Sequence, residues 1–187
     1  VNPDVRYVAI TDGAVPAPWE IIRPSGVERL SRKHASRHLK IMGHELFPNA
    51  DWTIYVDGQL QLAVDPVSLL AECEAWGGDS DLYIYRHHDR DCIYAEARDV
   101  DRVRKDTEGR MASQIARYRA AGIPERGGLY LGGFLIRRGG DVCHAFDATW
   151  WREGASGSHR DQISLTFALR ESGVRFGALT AGWWHNA

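Results

Sequence analysis

The sequence has few cysteines, and their spacing links none of them. Cys73, Cys92 and Cys143 are the three cysteines, and they form no C-x-x-C pair. This excludes a disulfide scaffold and a structural zinc site of the usual spacing. Reduced thiols in this number are typical of a cytoplasmic protein.

The sequence also lacks a long apolar run and an excess of basic residues. No stretch reaches the roughly 20 apolar residues of a membrane span, and no apolar signal segment is found. The 23 basic and 25 acidic side chains give a net charge of −2, so nucleic acid is not an expected partner. We expect one domain over residues 1–187, long enough to bury a core.

Strand-like and helix-like segments alternate along the chain. Predicted strands cover 6–11, 51–56, 82–85, 131–137 and 174–179. Predicted helices cover 31–46, 65–76, 93–121 with a break near 109, 141–152 and 158–172. Ser31 is an expected N-cap, and Pro66 suits a first helical position. This order predicts a three-layer α/β/α sandwich with a mostly parallel central sheet.

Asp57 directly follows the second predicted strand. Residues 52–56 are a continuous β-favouring run, typical of a strand that is covered on both faces. Ligands bind at the carboxyl ends of strands in open α/β sheets, and divalent metals on a phosphate ester prefer carboxylate oxygens. Asp57 is therefore a candidate metal ligand, to which Gln59 adds only a neutral carbonyl. The alternative is a simple turn at Asp57-Gly58, and these residues alone favour the turn.

Basic side chains lie on the predicted helix before this strand. Arg37, Lys40 and His44 are three and four residues apart, which predicts one shared helix face. Cations that face the loop of Asp57 would hold phosphate oxygens. The alternative is a solvated basic face, and in either case Lys40 should contribute little to stability.

A polar segment follows the predicted strand 82–85. Arg86, His87 and His88 begin it, and Cys92 lies beyond them outside any zinc pattern. We therefore expect hydrogen bonds to substrate hydroxyls rather than metal ligation. A polar surface loop is the alternative.

The last predicted helix opens with Arg160, Asp161 and Gln162. An acidic residue in a first turn pairs with the helix dipole, so the pair Asp161-Gln162 has a purely structural interpretation. The functional interpretation is contact with a transferred sugar. Near the chain end, His185 lies beside the aromatic pair that starts at Trp183, and alone it would be a tail residue.

The segment from Lys40 to Leu62 resembles the region around the D-x-D motif of nucleotide-sugar glycosyltransferases with the GT-A fold. In glycogenin-like retaining enzymes, E-L-L-P precedes a strand that ends in D-x-D. Here E-L-F-P at 45–48 precedes D-G-Q at 57–59. Those enzymes also have a D-Q pair that opens a later helix and a C-terminal metal-binding histidine, which resemble Asp161-Gln162 and His185.

A closer resemblance is to the glycosyltransferase-like family of the MUCI type, over nearly the whole chain. The matching positions are Ser36, Arg37, Lys40, His44, Phe47, Pro48, Asp57, Gly58, Leu60, Leu62, His87, His88, Arg90, Asp91, Tyr94, Glu96, Ala97, Gln114, Tyr118, Gly122, Pro124 and 160–162. Gln59 departs from the second Asp of D-x-D. Residues 6–11 resemble the second strand of such domains, so we expect the first strand to be missing.

The resemblance implies a metal-assisted glycosyltransferase of the hexosyltransferase type. A divalent metal, Mn²⁺, on Asp57 and His185 would neutralise the leaving nucleoside diphosphate. Asp161 and Gln162 would be catalytic, with Gln162 stabilising an oxocarbenium-like centre in a retaining mechanism. The implied substrate-binding residues are Arg37, Lys40, His44, Arg86, His87, His88, Arg160 and Trp183.

The implied partners are a nucleotide-sugar donor and a glycan or other hydroxyl acceptor. Asp57, His87 and Asp161 should then lie around one cleft. Two alternatives use the same residues: a metal-dependent hydrolase, and a non-catalytic carbohydrate-binding remnant.

Overall fold

A computed structural model describes residues 1–102, 109–158 and 160–179, together with the backbone of 184–186. The helices are α1 (Arg32–Ile41), α2 (Pro66–Gly77), α3 (Ile93–Arg102), α4 (Arg110–Ala120), α5 (Asp141–Ser156) and α6 (Asp161–Glu171). The strands are β1 (Val8–Ile10), β2 (Glu20–Ile22), β3 (Trp52–Val56), β4 (Leu60–Leu62), β5 (Leu82–Arg86), β6 (Tyr130–Arg138), β7 (Phe176–Leu179) and β8 (Trp184–Asn186).

The central sheet has four strands in the order β3-β6-β5-β7. β5 and β7 are parallel, whereas β6 is antiparallel to both of its neighbours. Three strands therefore run in one direction, and β6 alone runs against them. β6 is reversed because it enters at the edge where β5 ends: Arg86 pairs with Tyr130, and the His87 amide donates to the Leu129 carbonyl at 2.8 Å.

Side chains of the central strands alternate between two helical layers, which confirms the α/β sandwich. Leu82 and Ile84 pack with residues of α5 and α6 on one face. Tyr83 and Tyr85 pack with residues of α2 on the other face. A further cluster joins α3 and α4 to Ile163 of α6. The period of two along β5 thus fills both layers.

Within the described residues, two small sheets lie outside the central one. β1 pairs in parallel with β2, a strand that the sequence did not predict, and β4 pairs with β8. In the described part of the chain β1 does not join the central sheet. β3 is an edge strand whose five residues are all half-buried. Tyr55 packs toward α5 and α6, and Ile54 and Val56 pack toward the α2 side, so both faces of the strand are covered in part, as expected.

Helix α1 begins where the sequence predicts and ends earlier. The Ser31 hydroxyl accepts a hydrogen bond from the His34 amide, which confirms the N-cap. The Met42 amide closes the last turn on the His38 carbonyl, and a 3₁₀ turn follows at Gly43–Glu45. Residues beyond Ile41 therefore leave the helical face.

The three cysteines are free and buried. None of the helices that the structure describes combines the length and apolar composition needed to cross a membrane.

Candidate active site

Asp57 and Asp161 lie beside adjacent glycines of β6. The Asp57 amide donates to the Gly133 carbonyl at 2.8 Å. A Cβ atom on Gly133 would lie 2.9 Å from Oδ2 of Asp57, and one on Gly132 would lie 3.4 Å from Oδ2 of Asp161. The β5–β6 register shifts at this point, since Ile84 pairs with Leu135 but Tyr85 with Leu131. A glycine bulge therefore leaves the space in which both carboxylates approach the sheet.

Lys40 reaches this place from the last turn of α1. Its Nζ forms an ion pair with Oδ2 of Asp161, and the residue is only 7% exposed. Burial raises the pKa of the Asp161 carboxyl, but Lys40, Arg37 and Arg160 outweigh burial and hold that pKa below its usual value. Asp161 is therefore ionised at neutral pH. The solvated-face alternative is wrong for Lys40, and the reason for expecting a small contribution to stability is removed with it.

Tyr55 fixes the other carboxylate. Its hydroxyl donates to Oδ1 of Asp57 at 2.6 Å. Burial and the charge of Asp57 raise the pKa of Tyr55, so the hydroxyl keeps its proton. Tyr55 was not among the predicted site residues, although residues two apart on a strand face the same side.

The free oxygen of Asp57 fits a metal that is shared with a phosphate. Oδ2 has no hydrogen-bond partner among the residues that the structure describes. Gln59 is exposed and adds no charge. Metals that bind diphosphates commonly use one or two carboxylates, with water and phosphate oxygens completing the shell. A single carboxylate with a free oxygen is compatible with such a metal, and the metal itself stays a prediction.

Two of the predicted C-terminal site residues are not described at the level of side chains. The backbone of β8 places position 185 opposite Gln61. The side chain of His185 and the whole of Trp183 lie outside the described residues, so both assignments stay predictions.

Arg160 joins two polar groups at the start of α6. One guanidinium nitrogen, Nη2, donates to Oε1 of Glu96 at 3.0 Å and to Oε1 of Gln162 at 2.9 Å. Glu96 belongs to α3 and is 2% exposed. Its second oxygen pairs with Arg90, from the loop after β5. Glu96 therefore links that loop to the residues that open α6.

His87 lies in the same loop as Arg90. Its Nδ1 accepts hydrogen bonds from the amides of Asp89 at 3.1 Å and Arg90 at 3.2 Å. Burial, with help from His88 and Arg90, lowers the pKa of His87, so its neutral ring carries the proton on Nε2.

His87, His88 and Asp89 have potential ligand atoms within 4.8 Å of one another. The two rings stack with an angle of only 11° between planes. Imidazole lone pairs lie in the ring plane, so these stacked rings do not point at one ion. This arrangement argues against metal ligation, and the expected hydrogen bonds to substrate hydroxyls stay a prediction. Arg86 is exposed at the end of β5.

Arg37 completes the set of cations near Asp161. It is half-buried, and its Nη1 is fully buried without a hydrogen-bond partner in the described chain. Burial lowers the pKa of Arg37 while Asp161 raises it and Arg160 lowers it. Arg37 therefore keeps unused hydrogen-bonding capacity beside the ionised carboxylate.

His44 lies toward the other end of the sheet. Its Nδ1 is 3.0 Å from Oδ2 of Asp147, whose Oδ1 accepts from Arg137 at 2.9 Å. Arg137 pairs with Thr53, four residues before Asp57, or roughly 13 Å along the strand. The predicted shared face with Arg37 and Lys40 is wrong because α1 ends at Ile41.

Comparison with known proteins identifies the family of this chain. The model of the family described as "TOD1/MUCI70, glycosyltransferase-like domain" matches residues 11–175. The chain belongs to this family. The resemblance drawn from the sequence is confirmed, and with it a glycosyltransferase-like domain.

Two curated members of the TOD1/MUCI70 family come from Arabidopsis thaliana. The chain is 24% identical to "Probable hexosyltransferase MUCI70" over 79% of its own length and 27% of that protein. It is 27% identical to "Alkaline ceramidase TOD1" over 80% of its own length and 34% of that protein. The chain therefore spans about a third or less of either relative. No solved structure gives a significant match.

Proposed function

We propose that this domain transfers a sugar from a nucleotide-sugar donor to a hydroxyl of a glycan or another acceptor. The observation that carries the proposal is the meeting of Asp57, with its free oxygen, and the Lys40–Asp161 pair beside the glycines of β6. Membership of a glycosyltransferase-like family and the hexosyltransferase name of one relative support it.

The diphosphate of the donor would bind next to Asp57 and Arg37. Asp57 would hold Mn²⁺ through Oδ2, and His185 is the proposed second ligand. The metal would neutralise the charge of the leaving diphosphate. The guanidinium group of the half-buried Arg37 would provide hydrogen bonds to phosphate oxygens. The ammonium group of Lys40 is already paired with Asp161. It would therefore act on the phosphates only through long-range electrostatic attraction.

Asp161 would act on the donor sugar as a fixed negative charge. A general base works best when its pKa lies near the working pH, and the cations around Asp161 hold its pKa below the usual value. Proton removal from the acceptor is therefore a poor role for it. Stabilisation of positive charge that develops on the sugar suits an ionised, preorganised carboxylate.

The acceptor would approach from the loop after β5. Neutral His87 presents its Nε2–H as a hydrogen-bond donor, because Nδ1 already accepts two backbone amides. It would orient an acceptor hydroxyl rather than deprotonate it. Arg86, His88 and Arg160 are further proposed contacts on this side.

The decisive experiment is a ligand and turnover screen. UDP and GDP are tested with and without Mn²⁺ by thermal shift, because a ligand of the native state raises the melting temperature. Release of UDP or GDP from UDP-glucose, UDP-galactose and GDP-mannose is then measured. Asp57→Asn should abolish the metal-dependent shift, whereas Lys33→Ala, an exposed change on α1, should not. Absence of both nucleotide binding and turnover in the wild type would refute the proposal.

A second candidate function is amide hydrolysis, and the observation that favours it is the ceramidase name of one relative. The same metal on Asp57 would polarise an amide carbonyl instead of a diphosphate. Hydrolysis of an N-acyl sphingosine, without release of nucleotide from any donor, would favour this candidate. Sugar binding without either reaction would favour the carbohydrate-binding remnant.

A further inference from the structure

The contact between Arg160 and Gln162 determines which way the Gln162 amide points. A guanidinium group only donates hydrogen bonds, so the atom of Gln162 at 2.9 Å from Nη2 has to be the carbonyl oxygen. A flipped amide would place two donors against each other. The chemistry of arginine therefore fixes the orientation of this amide.

Glu96 holds Arg160 in the position that imposes this orientation. The same Nη2 that bonds Gln162 also donates to the buried Glu96 carboxylate at 3.0 Å. Arg90 neutralises the other oxygen of Glu96. The guanidinium is thus clamped between α3 and the first turn of α6.

The amide nitrogen of Gln162 is left for another partner. Its Nε2 donates to no acceptor in the part of the chain that the structure describes, and the residue is half-buried. The backbone amide of Gln162 is already bonded to Oδ1 of Asp161 at 3.1 Å. The two N–H groups of the side-chain amide therefore remain without an acceptor among the described residues, next in sequence to the ionised Asp161.

We infer that Glu96 and Arg160 are positioning residues that make Gln162 a hydrogen-bond donor to an oxygen atom of the bound donor substrate. The inference rests on the proposed function. In this role Gln162 donates hydrogen bonds through its amide nitrogen. Its carbonyl oxygen does not face an oxocarbenium-like centre, because that oxygen is turned toward Arg160. An oxygen that accepts hydrogen bonds, on the sugar or the diphosphate, is the group that this position selects.

Two substitutions of Gln162 separate the two roles. Gln162→Glu keeps an oxygen for Arg160 and removes both N–H donors, while Gln162→Met removes donor and acceptor together. If the amide donates, both variants should lose at least tenfold in kcat on the UDP- or GDP-sugar that the wild type uses, within threefold of each other. If the oxygen stabilises a cation, the added negative charge of Gln162→Glu should preserve or raise kcat, and that result overturns the inference.

Nucleotide affinity shows whether the Gln162 amide donates its hydrogen bond to an oxygen of the sugar or of the diphosphate. The affinity for UDP or GDP alone should stay unchanged in Gln162→Glu if the accepting oxygen belongs to the sugar. It should fall with kcat if the oxygen belongs to the diphosphate. Either result supports the donor role and assigns the oxygen.

The positioning role of Glu96 is tested by Glu96→Gln. The neutral amide fits the same space but has one acceptor oxygen for two guanidinium groups and no charge, so Arg160 is held less firmly. We therefore expect kcat to fall while the affinity for UDP or GDP is retained. The double variant Glu96→Gln/Gln162→Met should be no slower than Gln162→Met alone. Both substitutions act on the same hydrogen-bonded chain, which runs from Glu96 through Arg160 to Gln162. Multiplied losses in the double variant would overturn the positioning role.

A readout that needs no turnover keeps this inference separate from the proposed function. Urea midpoints are measured for the Glu96→Gln and Gln162→Met variants and for the double variant. If Arg160 links the two residues, the shift of the double variant differs from the sum of the single shifts. Additive shifts overturn the arrangement whatever the activity. Coupled shifts in a protein without nucleotide-sugar turnover retain the arrangement and refute the proposed function together with the substrate-donor role.

Discussion

Replacement of Lys40 by methionine should destabilise the protein strongly at neutral pH. Methionine keeps most of the side-chain volume but leaves the Asp161 carboxylate without its ion-pair partner. The side chains of Lys40 and Asp161 are 9% and 15% exposed. Removing one partner of a buried pair typically costs about 3–5 kcal/mol, and we expect about 3 kcal/mol because Arg37 and Arg160 remain nearby.

The loss should depend on pH in a defined direction. In the wild type the pKa of Asp161 is lowered, so its contribution to stability is present above the unfolded-state pKa and is lost as pH falls through the folded-state value. Without Lys40, burial raises that pKa, and the carboxyl takes up a proton at higher pH. The difference in unfolding free energy between wild type and variant should therefore shrink between pH 7 and about pH 4.

Urea unfolding followed by circular dichroism measures this directly. With slopes of about 1–3 kcal/mol per M, a loss of about 3 kcal/mol lowers the midpoint by roughly 1–3 M at pH 7. Lys33→Met, an exposed position on the same helix, is the matched control and should leave the midpoint unchanged. Equal midpoints for wild type and Lys40→Met at pH 7 would show that Lys40 is solvated and would refute the buried pair.

Further outcomes follow from the geometry of the site. Gly133→Ala should weaken Mn²⁺-dependent UDP or GDP binding at least tenfold, because the new Cβ would lie 2.9 Å from Oδ2 of Asp57. The control Gly58→Ala, whose Cβ would have no atom within 4 Å, should bind like the wild type. Equal affinities of the two variants in isothermal titration would contradict this prediction. His185→Ala should reduce the same metal-dependent binding and leave any metal-free binding intact, and retention of the full manganese effect would remove His185 from the proposed site. Arg137→Met should lower the unfolding free energy by about 3 kcal/mol, since the buried Asp147 then keeps only His44 as a partner, yet leave nucleotide affinity of the folded protein unchanged; a lost affinity would place Arg137 at the site.

Local chemistry made several elements predictable from the sequence. Ser31 marks a helix start because its side chain caps the first turn, and Pro66 marks another because its φ is fixed. Both effects act within a few residues, so the sequence alone shows them. Asp57 was predictable because a polar residue that follows a β-favouring run lies at a strand end. The family was predictable because its pattern of polar residues extends along most of the chain.

The partners of those residues were decided only by the tertiary structure. Spacing on one helix placed Lys40 with His44, but Lys40 pairs with Asp161, 121 residues away, and His44 turns to Asp147 after α1 ends. Glu96 has no local feature that marks it as the partner of Arg160. The antiparallel entry of β6 brings its glycines between the ends of β3 and β5. Periodicity reports which face of an element is apolar, whereas the pairing of distant charges depends on strand order and direction, which no local pattern contains.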